Sequence, residues 1–190
     1  IILGGKTLRN RKSIIIISLV TGIFITIFLF LYSNNKHYVS SSKATYLGVA
    51  ERLIYKNYYN QRYKFLIKYP DNLIKGEEST NGDGITLTNE NGDVKLIVFG
   101  SNNIFDATAK SAYEDTLKEI KNASYKKQSR NWYVVSWVKN DKIIYKKEVV
   151  GDGSINTLIF EYPLTQKKLY DEFLQNLDSY FKTPGIGKVH

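Results

Sequence analysis

The residues of this chain best suited to chemistry lie in one alternating stretch, 131–150. Asn140-Asp141 reads as a tight turn between two strands, which sets Val138 opposite Ile143 and Trp137 opposite Ile144. One face of that hairpin then carries Tyr133, Trp137, Lys139, Lys142, Lys146 and Glu148. Aromatic rings interleaved with lysines can stack on sugars or bases and pair with phosphates. Outside a cell the matching ligand is an anionic wall polymer or a protein, and no nucleic acid is expected. The other face carries Trp132, Val134, Val138, Ile143, Tyr145 and Val149 and reads as core, interrupted by Ser136 and Lys147. The plain alternative for the first face is a sheet surface partly covered by a helix. Its lysines would then sit at the rim, keeping it soluble and discouraging edge pairing.

Other chemistries find less support. Asn81, Asp83, Asn89, Asn91, Asp93 and Asp152 crowd into glycine-bearing loops. Oxygen-rich loops can hold calcium, but the EF-hand spacing is not met, and the same residues are what tight turns require. Whether these loops bind calcium stays open. Glu77-Glu78 and Glu114-Asp115 are adjacent, and neighbours in a strand or helix point in different directions, so they are not dyads. No glycine-rich phosphate loop precedes a helix. With no cysteine there is no thiol nucleophile, disulfide framework or Cys-based metal site, and the two histidines, His37 and His190, lie outside the part that reads as folded. The expectation is therefore a non-enzymatic protein with no catalytic residue, cofactor or metal.

Residues 13–32, from Ser13 to Tyr32, form an uncharged apolar run. About 20 residues as a helix span roughly 30 Å, a bilayer core, and in lipid the backbone must bond internally, so the β-branched content does not prevent a helix. Ser18, Gly22 and Thr26, at four-residue spacing, form a small-residue stripe that can bring two such helices together. Lys6, Arg9, Arg11 and Lys12 precede the run, and all 18 acidic residues follow it. That asymmetry predicts a cytoplasmic N-terminus and an extracytoplasmic C-terminal part. A cleavable signal peptide would have a shorter apolar region and a small-x-small site, whereas this run ends in Phe30-Leu31-Tyr32. An uncleaved signal-anchor in the cell membrane, in contact with lipid, is the expectation, although cleavage stays open. A lipoprotein anchor is excluded, since that lipid is attached to cysteine. The chain also lacks methionine, an indication that residue 1 is not the natural start, and its heavy use of Lys, Asn, Ile and Tyr suits a low-GC bacterium.

Five segments follow from these patterns: 1–12, basic and cytoplasmic; 13–32, transmembrane; 33–56, a linker with a stalk helix; 57–182, an exported α+β domain; and 183–190, a frayed tail. Within the domain, Tyr63, Phe65, Ile67 and Tyr69 alternate with Lys64, Leu66 and Lys68 and predict a half-buried strand. Further strands are expected at 85–88, 94–99, 124–129, 132–139, 142–150 and 155–162. A helix capped by Asp106 and running to about Lys121, and another from Thr165 to Phe181, complete the pattern. Each helix has one apolar stripe, which an antiparallel sheet can cover.

Phe65-Leu66-Ile67-Lys68-Tyr69-Pro70, the turn Asn81-Gly82-Asp83-Gly84 and the strand Val94-Lys95-Leu96-Ile97-Val98-Phe99-Gly100, with this element order, resemble the PsbP-like fold family. That family includes photosystem II extrinsic proteins, nuclear-transport factors that bind the GTPase Ran, and exported bacterial proteins. The likeness runs from about Tyr58 to Phe181, and Leu73 stands where the family often has tryptophan. The resemblance implies an αβα sandwich around an antiparallel sheet and a docking or assembly role, and it transfers no catalytic residue. The resulting expectation is a membrane-anchored extracytoplasmic domain that binds another protein at the cell surface. The alternative is a binder of anionic cell-wall polymer through Tyr133, Trp137, Lys139, Lys142 and Lys146.

Overall fold

Alternation of apolar and polar side chains sets most of the architecture in the computed structural model, which describes residues 53–190. The strands are β1 (Tyr55–Tyr59), β2 (Leu66–Pro70), β3 (Ile74–Glu78), β4 (Gly84–Thr88), β5 (Lys95–Asn102), β6 (Ala123–Gln128), β7 (Trp132–Lys139), β8 (Lys142–Val150), β9 (Ser154–Pro163) and β10 (Phe181–Lys182). Helix α1 (Ala109–Glu119) lies between β5 and β6, and α2 (Lys167–Gln175) and α3 (Leu177–Tyr180) lie between β9 and β10. The expected span from Ser13 to Tyr32, the Ser18, Gly22, Thr26 stripe and the basic segment 1–12 fall outside the described residues. Among the described residues no helix is long and apolar enough to cross a membrane.

Seven strands form one sheet in the order β3-β4-β5-β9-β8-β7-β6, and three form a small sheet, β1-β2-β10. All pairings in both are antiparallel. The large sheet is two meanders joined by an eight-residue register, Lys95↔Glu161 to Asn102↔Ser154. Its inner face carries Leu87, Leu96, Val98, Leu158 and Phe160, all fully buried. Tyr170 and Phe173 of α2 close on Phe160 edge-on, at centroid distances of 5.0 and 5.2 Å. The small sheet adds Phe65 and Ile67 to the same core. Helix α1 packs on the outer face against β6, β7 and β8.

The architecture is a sheet-rich α+β fold, and its second layer mixes α2 and α3 with the small sheet, where an αβα sandwich was expected. Tyr63, Phe65, Ile67 and Tyr69 are buried together, but the strand expected over 63–69 covers only Leu66–Pro70: Tyr63 lies in a turn, and Lys64, at φ 57°, separates it from the strand. Residues 55–59, which straddle the expected boundary between stalk (33–56) and domain (57–182), form a strand, because β2 offers a free edge to a Tyr-rich segment of poor helix propensity. Thr108 rather than Asp106 caps α1, in a reciprocal capping box with Ser111. The last expected helix breaks at Asn176, since Phe181 leaves it to pair with Ile67 and to meet Phe65 at 6.0 Å.

The segment expected to fray, 183–190, is held. The His190 backbone N–H donates to Asn102 Oδ1 (2.9 Å), and Asn102 Nδ2 donates to the His190 carbonyl (2.8 Å). The His190 ring sits 5.1 Å from that of Tyr63, so this histidine lies within the folded unit. Gly100 makes the seat for Tyr63, because a Cβ there would stand 2.1 Å from the ring's Cγ. Gly100→Ala is expected to lower the unfolding free energy by about 1–3 kcal/mol in a denaturant titration, and an unchanged midpoint would show that Tyr63 is not seated as described.

Candidate functional site

Strands β7 and β8 turn at Asn140 and Asp141, both at positive φ (51° and 57°), the backbone of a type I′ hairpin. Their register, Lys139↔Lys142, Val138↔Ile143 and Trp137↔Ile144, is the one that the turn chemistry predicts. The two faces of this hairpin meet different surroundings.

The outer face, read either as an aromatic and basic platform or as a sheet surface partly covered by a helix, is the second: it is largely occupied by its own structure. Tyr133 is not on the surface: it is 0% exposed beneath α1, its ring 5.7 Å from that of Tyr113. Its hydroxyl donates to Glu148 Oε2 (2.6 Å) and lies 2.7 Å from Thr116 Oγ1. Lys146 donates to Thr116 Oγ1 (3.2 Å) and pairs with Glu148 Oε1 (2.9 Å), which closes a ring of four side chains. Burial first, then the hydrogen bond to Glu148, pushes the Tyr133 hydroxyl far above its ordinary range, so it remains a proton donor. Lys142 is paired with Glu161 (2.8 Å), Trp137 is half-buried and Lys139 is exposed. The five residues therefore share a face without forming a common surface. Tyr133→Phe would leave Glu148 Oε2 without its donor. An unfolding free energy lower by about 1–3 kcal/mol is expected, with a smaller loss if Thr116→Val is already present.

The inner face is core under α2 but continues past it. There, β6, β7 and β8 form the floor of a groove whose one wall is α2 and α3. Its wider part, about 370 Å³, is lined by Tyr125, Val138, Ile143, Tyr162, Leu164 and Leu174, among others. Val138 is 47% exposed there. A narrower part, about 170 Å³, shares Tyr125, Tyr145 and Leu174 with the first and adds Lys127, Trp132, Lys147 and Asp178. Lys147 is 4% exposed, its ammonium 4.8 Å from the Trp132 ring centroid. Lys127 lies over the same ring at 5.4 Å. Lys147 pairs with Asp178, and that hydrogen bond holds the Asp178 carboxyl below its ordinary value.

The sequence pattern marked Lys147 as a break in an apolar face. A charge inside a hydrophobic alternation was the available signal for this groove, but its counterion, 31 residues away on α3, carried none.

The acidic turns are satisfied internally. Asp83 accepts from Arg62 (2.7 Å) and from Asn81, and Asp93 accepts from Asn89 (2.6 Å). Among the described residues no group of three acidic or histidine side chains is placed to hold a metal ion.

Since Asp178 has a depressed folded pKa, its contribution to stability is present above the ordinary aspartate value of 3.8 and is lost as pH falls through the folded value. Asp178→Asn should therefore be less stable than the parent at pH 7, with the gap narrowing below pH 3.8 in unfolding curves taken across that range. A gap independent of pH would place the effect elsewhere.

The domain has a PsbP-like fold. It is similar to the solution structure of cyanobacterial PsbP (CyanoP) from Synechocystis, with a TM-score of 0.52 and 13% identity, over 73% of this chain and 95% of that one. The crystal structure of the Saccharomyces cerevisiae Ran-binding protein Mog1p aligns with a TM-score of 0.49 and 12% identity, over 69% of this chain and 96% of that one. These likenesses are of fold. No family model and no curated protein matches the chain by sequence.

Proposed function

We propose that this protein is a membrane-anchored, extracytoplasmic, non-enzymatic docking module whose domain binds a protein partner at the cell surface, in an assembly or accessory role. The observation that carries the reading is the groove beside α2. Tyr125, Val138 and Leu164 are exposed beside the buried Ile143 and Tyr162, with Ser124, Lys167 and Asp171 at the rim. Apolar side chains left in water at such a place favour a partner that covers them. The tether rests on the uncharged run 13–32 and the basic residues before it.

Photocrosslinking in intact cells tests this reading, with a photoreactive residue at Val138 and a control at Asp152, an exposed turn outside the groove. One discrete adduct from position 138, absent from position 152, is the expected result. Equal, diffuse labelling from both positions would end the proposal.

The alternative is an anionic wall polymer bound through the hairpin. It draws on residues 120–140, which hold five basic residues and no acidic one. It predicts retention on isolated wall that weakens with salt and falls in Lys139→Glu with Lys142→Glu.

A further inference from the structure

We propose that the occupant of this groove is an extended protein segment in which an aspartate or glutamate stands four residues from a large aliphatic side chain. The carboxylate seats between Lys147 and Lys127, and the aliphatic group seats between Val138, Ile143 and Leu164. The proposal rests on the docking role above and specifies the chemistry of the partner.

Three observations converge on it. The first is the state of Lys147. An ammonium withdrawn from water must be paired, and this one has a single carboxylate partner, Asp178, whose side chain is 74% exposed. Asp178 sits on the four-residue helix α3, so the anion that compensates the buried cation stands at the groove's rim. A partner's carboxylate can take that position while Asp178 turns into solvent.

The second is charge. Lys127 flanks the same indole ring and acts on Asp178 at longer range than Lys147, without a close ion pair of its own among the described residues. The narrow part is lined by two cations, Lys127 and Lys147, and one carboxylate, Asp178, whereas Lys126 and Lys139 project from the outer face. That part of the groove therefore keeps one positive charge in excess, which favours an anionic side chain there over a basic one.

The third is spacing. Lys147 and Ile143 lie four residues apart on one face of β8, roughly 13 Å along the strand. An extended segment lying in the groove over the inner face, parallel or antiparallel to β8, places side chains i and i+4 on one face at that same separation. The two parts of the groove thus call for an acidic and an aliphatic residue at that interval.

Isothermal titration calorimetry on the full 190-residue chain tests the proposal with three capped peptides. The probe is Ser-Leu-Thr-Val-Thr-Asp-Ser. One control replaces Asp by Asn, and the other places Asp two residues from Leu. The probe should bind about tenfold more tightly than either control, the cost of losing a charged hydrogen bond or its register. The two members of the ion pair should then respond in opposite directions. Lys147→Met should abolish the preference for Asp, and Asp178→Ala should strengthen probe binding, because it removes the competing carboxylate. A groove that these changes merely deformed would weaken in both. If the Asn peptide binds as well as the probe, the acidic anchor is refuted while docking stands. If no peptide binds although Val138 still crosslinks to a partner, the segment proposed here is wrong and the docking role survives.

Discussion

Seven strands at about 4.8 Å spacing make a sheet about 29 Å across, and a helix with its side chains is about 10–12 Å wide. This chain lays one helix on the outer face, α1, with 11 residues. On the inner face it lays α2 and α3 beside the small sheet. Neither layer can cover the whole sheet. They are placed on opposite halves, α1 over β6, β7 and β8, and the inner layer over β4, β5 and β9. The shared centre is the β5–β9 register, which holds the two meanders in one sheet. Among the described residues each face thereby keeps an open part. On the outer face it is a hollow of about 380 Å³ lined by Thr86, Ile97 and Phe99. On the inner face it is the groove beside α2.

That geometry decides which hairpin residues can meet another molecule. Sequence alternation correctly divided Tyr133 and Trp137 from Val134 and Val138, yet the face expected to bind is the one that α1 covers. The half of the core-like face that lies beyond α2 is the one left open. Alternation states which residues share a face. It does not state where along the sheet a helix will come to rest, because that depends on where the connections return the chain.

The parts of the fold that were legible in sequence are those whose cause is local. The Ile67-Tyr69 face of β2, the turn at Asn140-Asp141 and the helix over 109–119 all follow from periodicity and turn chemistry. The parts that were not legible are set by distant partners. Residues 55–59 become a strand only because β2 presents an edge. Phe181 leaves its helix only because Phe65 and Ile67 are waiting. His190 is anchored by Asn102, 88 residues away. Asp178 is of this second kind. Its bond to Lys147, 31 residues away, exists only in three dimensions.

Lys146 and Lys147 show how one step along a strand separates two environments. Both are partly or wholly withdrawn from water, on opposite faces of β8. Lys146 finds Glu148 two residues on, on the same face of the same strand, with Tyr133 and Thr116 completing the ring beneath α1. All four groups belong to rigid elements, and exchanging any one would expose a buried carboxylate, so that cluster is confined to holding α1 on the sheet. Lys147 finds its anion on another element, a single helical turn at the groove's mouth, with the aspartate facing water. This pair is less enclosed than the Glu148 cluster, because its carboxylate faces water for most of its surface although Lys127 and Lys182 also act on it. The same side-chain chemistry is thus structural where its partner is fixed in the sheet, and available for recognition where its partner can leave.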